Sequence, residues 1–209
     1  MRSPEEPTRS IEVERSYDVA DDTVLPDWTH LDLVARVGAG EVRELDARYF
    51  DTADLALARA RVAVRRRTGG PDAGWHVKSA AAEGRHEWGW PLDADGDRRD
   101  GVPGAVRDAV AAWATAPLTQ IARIRNTRTA YALTDTEGGL VAEMVDDRVR
   151  AESAHGESAW REWEVELGAA APADPAWRAD FFAQVERLVA AVGGRVAASD
   201  SKLARALGR

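Results

Sequence analysis

Three things are missing from this sequence of 209 residues: cysteine, long apolar runs and an apolar leader. Without cysteine the chain cannot form disulfides, zinc–thiolate sites or a thiol nucleophile. No apolar run approaches the roughly 20 residues of a membrane-spanning helix. The first residues, M-R-S-P-E-E-P-T-R, lack the apolar core of a signal peptide. We therefore expect a cytoplasmic protein that makes no membrane contact.

Acidic residues outnumber basic ones, and the formal net charge is −8. An acidic chain has little general attraction for nucleic acid, so we do not expect a nucleic-acid partner. No linker rich in glycine or serine and no internal repeat interrupts the chain. We predict a single domain over residues 1–209 with its core at 10–207, present as a monomer or a homodimer.

The segment 10–19, S-I-E-V-E-R-S-Y-D-V, predicts a strand with two different faces. Ile11, Val13 and Tyr17 share one face, whereas Glu12 and Glu14 share the other. Carboxylates two residues apart on a strand lie roughly 7 Å apart at Cα, and they repel each other unless a cation lies between them. This strand therefore requires a metal ion, or a cluster of Arg and Lys side chains, in front of it.

The same alternation returns along the chain, usually with Trp or Val on one face and charged residues on the other. It predicts strands at 41–50, 61–67, 74–80, 85–92, 119–127, 129–134, 140–151 and 160–167. Amphipathic spacing predicts helices at 27–37, 102–113 and 175–192, with shorter ones at 55–60 and 199–207. The segment 93–100 is predicted to be a solvated charged turn. About eight strands and several helices indicate an α+β domain.

Charged faces on so many strands have two explanations. In an open sheet each charged face would meet water. If helices cover the apolar faces and the sheet closes into a barrel, the charged faces line a shared lumen instead. About eight strands leave a lumen wide enough for one small ligand. A lumen lined by both acids and bases suits an anion together with a divalent cation. Periodicity alone does not decide between these explanations.

A family resemblance favours the barrel. Glu12-Val-Glu14 resembles the E-x-E-x-K signature that opens the CYTH family, also called triphosphate tunnel metalloenzymes. Further segments resemble the family's later motifs in order: Tyr49-Phe-Asp-Thr52 with Val64-Arg65-Arg-Arg67, Trp75-His-Val-Lys78, Arg85-His-Glu87, Arg125-Asn-Thr-Arg128, Glu143 to Asp147, Glu164-Val-Glu166 and Ser201-Lys202. The resemblance covers residues 10–207, and eight weak motifs in order are together specific.

The resemblance implies an eight-stranded antiparallel β-barrel, the triphosphate tunnel, with helices packed outside. Such barrels bind a small-molecule triphosphate and Mg²⁺ or Mn²⁺. The implied activity is metal-dependent hydrolysis of inorganic triphosphate or of a small organic triphosphate such as thiamine triphosphate. One class of the family, the class IV adenylate cyclases, cyclises ATP instead. A base-recognition element for that reaction is not evident in the sequence.

Residue roles follow from the resemblance position by position. The implied catalytic residues are Glu12, Glu14 and Lys78. The implied substrate-binding residues are Arg65, Arg67, Lys78, Arg85, Arg125, Arg128 and Lys202. The implied metal ligands are Glu12, Glu14, Asp147, Glu164 and Glu166, with Asp146 as the alternative to Asp147 and with Glu162 in phase with the late pair. Glu87 is expected to pair with Arg85, and His76 is expected to line the lumen rather than act in catalysis.

One position departs from the family pattern. The lysine expected two residues after Glu14 is Ser16. In the family that lysine is thought to activate or position the attacking water, and a serine carries no charge. Arg15 points to the other face of the strand and cannot replace it. The departure leaves a non-catalytic triphosphate- or polyphosphate-binding protein as the alternative to an enzyme.

Overall fold

The computed structural model describes residues 6–81, 84–92, 101–199 and 201–208. The predicted turn 93–100 lies outside these residues. Within them the strands are β1 (Thr8–Glu12), β2 (Glu14–Val19), β3 (Arg36–Val37), β4 (Glu41–Asp51), β5 (Val62–Thr68), β6 (Gly74–Ala81), β7 (Gly84–Pro91), β8 (Thr119–Thr134), β9 (Leu140–Ser153), β10 (Gly156–Leu167) and β11 (Arg195–Val196). The helices are α1 (Ala56–Arg59), α2 (Gly104–Val110), α3 (Pro175–Ala191) and α4 (Lys202–Ala206), with a 3-10 turn at Trp28–His30.

The first segment of the chain closes the sheet. The strands are antiparallel and follow the order β1-β7-β6-β5-β4-β8-β9-β10-β2-β11, with β3 paired to β8. Only Val13 separates β1 from β2 in sequence, yet Glu12 pairs with Arg85 of β7 and Glu14 pairs with Glu166 of β10. The described residues form the predicted eight-stranded antiparallel barrel, if β1 and β2 are counted as one strand and the two-residue strands β3 and β11 are not counted.

Alternation along the strands decides which face turns inward. Val64 of β5 and Val77 of β6 point outward into an apolar cluster beneath Val106 of α2. Tyr17 of β2 and Trp163 of β10 point outward into a second apolar cluster with Phe181 of α3. Residues one position away along each strand therefore face the lumen, because side chains alternate across a strand. The charged faces point inward because the helices cover the apolar ones.

The last helix, α4, packs against the inner side of the wall. Leu203 and Leu207 join a third apolar cluster with Ala47 of β4, Ile124 of β8 and Val149 of β9. These strand residues share the inward face of their strands, so α4 fills part of the lumen, whereas α2 and α3 pack outside. The side chain of Ser201 caps α4 by accepting from the Ala204 amide at 3.0 Å. This placement directs Lys202 into the barrel.

Most predicted elements are present, with one clear error. The segment 27–37 is not a helix: only Trp28–His30 forms a 3-10 turn, and Leu33 has a φ of 65°. The apolar spacing correctly predicted which residues are buried, since Trp28 and Leu31 lie in the cluster beneath α3. The backbone beyond Leu33 bonds to β8 instead, with the Ala35 amide donating to the Thr134 carbonyl at 2.8 Å. No helix in the described ranges is long and apolar enough to cross a membrane.

Candidate functional site

The barrel encloses a cavity of about 740 Å³ that is lined by charged side chains from seven strands and from α4. The charged residues that line it are Glu12, Glu14, Arg61, Arg65, Arg67, Asp72, Lys78, Arg85, Arg128, Glu164, Glu166 and Lys202. Eleven of the twelve predicted site residues are near this cavity: ten line it, and the eleventh, Asp147, is buried against its wall. The cavity thus brings together side chains from positions 12 to 202 of the sequence.

Three arginines crowd one side of the cavity. Arg65 and Arg67 lie two residues apart on β5, and Arg128 faces them from β8. Burial, together with the neighbouring charges of Arg65 and Arg128, lowers the pKa of Arg67 to about 9. The Nε atoms of Arg65 and Arg67 are buried and have no hydrogen-bond partner in the described structure. Crowded guanidinium groups with unused donors form a site for an anion.

Lys78 is held by a pair of carboxylates. Its Nζ donates to both oxygens of Glu12, at 2.9 and 2.7 Å, and lies 3.4 Å from Glu87. Burial and the adjacent Glu87 raise the pKa of Glu12, since two close carboxylates resist joint ionisation. Burial lowers the pKa of His76 to about 4, and its ring lies between two acceptors, with Nδ1 2.8 Å from Glu87 and Nε2 3.0 Å from the Asp72 carbonyl. His76 therefore orients Glu87, but it is not among the residues that line the cavity.

Lys202 lies inside a cluster of three carboxylates. Its Nζ is 2.9 Å from Asp147, 2.5 Å from Glu162 and 2.6 Å from Glu164. The oxygens of these three carboxylates lie within 4.8 Å of one another, which is close enough to hold a metal ion. Although burial alone would lower the pKa of Lys202, the three carboxylates raise it, so the ammonium stays charged. Lys202 thus occupies the centre of the cluster.

Asp147 is sealed from the cavity. It is fully buried and accepts hydrogen bonds from Asn126 at 2.9 Å and from Arg128 at 2.8 and 2.7 Å. The alternative, Asp146, points to the outer side of β9 and pairs with Arg161 at 2.8 Å. Asp147 therefore points to the inner side of β9, as strand phase from Glu143 predicts, whereas its role as a metal ligand stays a prediction. The donors around Asp147 indicate that it orients Arg128 and Lys202.

Glu14 and Glu166 form the open acidic pair of the cavity. They lie directly opposite each other on β2 and β10. Arg85 donates to Glu14 at 3.0 Å, whereas the side chain of Glu166 makes no hydrogen bond or ion pair with any described residue. Burial and the charge of Glu14 raise the pKa of Glu166 to about 7. Two facing carboxylates, one of them without a partner, suit a hard divalent cation such as Mg²⁺ or Mn²⁺.

Replacing Glu166 by glutamine should stabilise the protein at high pH only. Folding raises the pKa of this carboxyl group from 4.5 in the unfolded chain to about 7. The group therefore contributes its full stability below pH 4.5, and this contribution is lost as the pH rises toward 7. Glutamine removes this titration, so the free energy of unfolding should rise by about 1–3 kcal/mol at pH 8 and change little at pH 4. Urea unfolding between pH 4 and 8 tests this, with Glu157→Gln on the exposed part of β10 as control. If the free energies of unfolding of wild type and Glu166→Gln differed by the same amount at every pH, the prediction would be wrong.

Arg125 does not belong to the cavity. Its side chain points outward from β8, is 49% exposed and pairs with Glu152. Arg125 and Arg128 are three residues apart, and such residues occupy opposite faces of a regular strand. We therefore exclude Arg125 from the site. Asn126, which the motif reading passed over, lines the cavity in its place.

The rarity of lysine in this chain also indicates the site. The chain contains 26 arginines and only two lysines, Lys78 and Lys202. Both lysines line the cavity. Arginine is the default cation of this chain, so the two exceptions mark positions where a compact ammonium fits between carboxylates and a planar guanidinium does not.

Ser16 occupies the position of the missing motif lysine. It lies opposite Glu164 in the pairing of β2 and β10, and its carbonyl accepts from the Ala197 amide at 2.9 Å. It shares a strand face with Glu14, as the alternation predicts. The cations next to Glu164 come from other elements: Arg128 of β8 at 2.8 Å and Lys202 of α4 at 2.6 Å.

Comparisons with known proteins agree with this geometry. Residues 10–190 match the family model of the CYTH domain. The uncharacterized proteins MT2285 and Rv2226 from two Mycobacterium tuberculosis strains are 39% identical to this chain over 216 residues, which cover 97% of it and 41% of each relative. The chain thus spans less than half the length of these relatives.

Solved structures show the same fold. The protein bh2851 from Bacillus halodurans, a candidate adenylate cyclase, has a TM-score of 0.64 and 18% identity, covering 94% of this chain and 97% of its own. HpAC1 from Hippeastrum, a candidate adenylyl cyclase with a dominant triphosphatase activity, has a TM-score of 0.58 and 17% identity, covering 95% and 96%. At these identities the likeness concerns the fold.

Proposed function

Since the chain belongs to the CYTH domain family, we propose that it hydrolyses a small-molecule triphosphate with the help of Mg²⁺ or Mn²⁺. The observation that carries this proposal is the pairing of two unsatisfied groups across one cavity. Arg65 and Arg67 present unused Nε donors, and Arg128 adds to the crowded positive charge beside them. Glu14 and Glu166 present crowded negative charge with an open partner position. A phosphate chain carrying a divalent cation satisfies both.

The arginine and lysine side chains that line the cavity would bind the phosphate chain. Arg65 and Arg67 would each offer a free Nε to phosphate oxygens, and Arg128 would add charge from β8. Lys78 and Arg85 reach the cavity while paired with Glu12 and Glu14, so their positions are already set. Lys202, whose ammonium faces three carboxylates, would add positive charge near the end of the phosphate chain. Groups fixed before the substrate arrives stabilise transferred charge without reorganisation.

Glu14 and Glu166 would hold the metal ion, with Glu12 and Glu164 close by. The bound ion supplies neutralisation of phosphate charge and a water of lowered pKa. Asp147, one of the predicted ligands, is assigned instead to holding Arg128 and Lys202, because its oxygens already accept their hydrogen bonds. Phosphoanhydride hydrolysis needs mainly positioning and charge stabilisation, so this chain requires no covalent nucleophile.

Phosphate release with and without metal tests the proposal. We expect release of inorganic phosphate from a triphosphate in the presence of Mg²⁺ or Mn²⁺, and none after chelation with EDTA. Chromatography of the products separates this reaction from cyclisation, which would release diphosphate and a cyclic nucleotide. Failure to release phosphate from any triphosphate, with either metal, would remove the hydrolase proposal.

Ser16 favours one alternative, a protein that binds a triphosphate or polyphosphate without turnover. Calorimetric binding without phosphate release would support it. If the missing lysine limits catalysis, Ser16→Lys should raise kcat by about tenfold, the lower range for one positioned catalytic group. Ser16→Met is the matched control, since it adds length without charge. Equal rates in both variants would show that position 16 does not limit the reaction.

A further inference from the structure

Part of the cavity carries no charge. Beside the charged groups, its lining includes seven alanines: Ala47, Ala58, Ala63, Ala80, Ala197, Ala198 and Ala204. Larger apolar side chains adjoin them, among them Tyr49, Ile124, Leu203 and Leu207. The apolar cluster that contains Leu203 also contains Ala47, Tyr49 and Ile124, and Ala63 packs against it. We call these uncharged lining residues together the apolar sector, and the cluster around Leu203 is its packed part.

The apolar sector follows from the placement of α4. Leu203 and Leu207 bring apolar surface into a lumen whose other walls are charged. The residues facing them on the strands are mostly small, and an eight-stranded barrel is just wide enough for ordinary side chains to fill. Alanines in place of longer side chains therefore leave open space beside the arginines. A bare phosphate chain has no apolar surface to place there, and its contact with apolar walls would cost desolvation without compensating hydrogen bonds.

We propose that the preferred substrate is an organic triphosphate ester, whose uncharged organic group, of nucleoside size or smaller, lies against the apolar sector. This inference rests on the proposed function and specifies its substrate class. The phosphate chain would lie along Arg65, Arg67 and Arg128. The organic group would contact Tyr49, Ala63 and Leu203, which belong to the same cluster. A cavity of about 740 Å³ lies within the usual range for pockets that hold such ligands, roughly 300–1,000 Å³.

The reaction balances with water as the only co-reactant. The oxygen of water forms a bond to the terminal phosphorus, and the bond from that phosphorus to the bridging oxygen breaks. The bridging oxygen keeps the electron pair and leaves with the diphosphate ester. One proton of the water is released to solvent as inorganic phosphate forms. The organic group takes no part in bond breaking, so it contributes through binding.

Two variants narrow the apolar sector without touching the charged residues. Ala80 near the end of β6 and Ala198 before α4 both line the cavity and are exposed, so phenylalanine can be accommodated without repacking a buried core. Ala159→Phe on the outer face of β10 is the matched control. Wild type and variants are assayed with ATP and with inorganic triphosphate, and binding of both is measured by calorimetry.

We expect wild type to prefer ATP to inorganic triphosphate by at least tenfold in kcat/KM or, without turnover, in affinity. Ala80→Phe and Ala198→Phe should lower the ATP value about tenfold and the inorganic triphosphate value less than twofold, and Ala159→Phe should change neither. A wild-type preference for inorganic triphosphate, or equal losses for both ligands, would overturn this inference and leave the proposed function intact. Absence of binding and turnover for both ligands would overturn both.

Discussion

Replacing Arg67 by methionine is expected to lower kcat/KM for triphosphate hydrolysis by roughly 100- to 1,000-fold, the range for removing one preorganised donor to developing charge. The free energy of unfolding should stay the same or rise. Burial and repulsion from Arg65 and Arg128 lower the pKa of Arg67, so the guanidinium is a strained group in the free protein. Its partner Asp72 is half exposed and can return to water at little cost.

Arg125→Met is the matched control for Arg67→Met. Arg125 carries the same charge on a neighbouring part of the barrel but points outward. Its replacement should change kcat/KM by less than twofold. Steady-state kinetics with thermal unfolding of both variants measures the two effects separately. Full activity in Arg67→Met, or a loss of stability equal to its loss of activity, would contradict the role assigned to Arg67.

Replacing Lys202 by methionine is expected to destabilise the protein by about 3–5 kcal/mol, the usual cost of leaving buried charges without their partner. Asp147, Glu162 and Glu164 would then face one another without the ammonium that now lies between them. Their oxygens are close enough for a metal ion. Mn²⁺ should therefore restore stability in the variant, by about 2.7 kcal/mol at a concentration 100 times its dissociation constant.

Unfolding with and without Mn²⁺, together with the stoichiometry of Mn²⁺ binding, measures this prediction. The variant should bind one Mn²⁺ more than the wild type, because the cluster that Lys202 fills becomes free. Arg205→Met on the same helix is the control: Arg205 is one-third exposed and pairs mainly with Asp18, so its loss should neither add a site nor produce rescue by Mn²⁺. Equal stoichiometry in wild type and Lys202→Met would show that Lys202 does not exclude a metal.

Alternation predicted the two-faced strands, and the family resemblance was needed to predict the barrel and its lining. Charged residues opposite Trp and Val on successive strands indicated inward charge, and the apolar clusters beneath α2 and α3 account for it. The same rule selected Asp147 over Asp146. Alternation also places Arg125 on the face opposite Arg128, outside the barrel, whereas the basic motif as a whole predicts both arginines in the site.

Other features depended on contacts between distant parts of the chain. The spacing of Trp28 and Leu31 indicated burial correctly, but the backbone pairs with β8 instead of forming a helix. Glu87, expected beside Arg85, accepts from His76 across the pair of strands β6 and β7. Hydrogen-bond partners on neighbouring strands are set by register, and local periodicity does not contain the register.

The amino-acid sequence by itself determined that the chain forms two-faced strands, because alternation is a local property that each strand carries alone. It also determined the signs of charge that face the lumen. Only the tertiary structure decided which charges neutralise one another: among the described residues the Glu166 side chain has no ion-pair partner, whereas Lys202 fills an acidic cluster. Only the tertiary structure placed α4 inside the wall, which produced the apolar sector. Both outcomes depend on distances between segments far apart in sequence, and these distances are fixed only when the sheet closes.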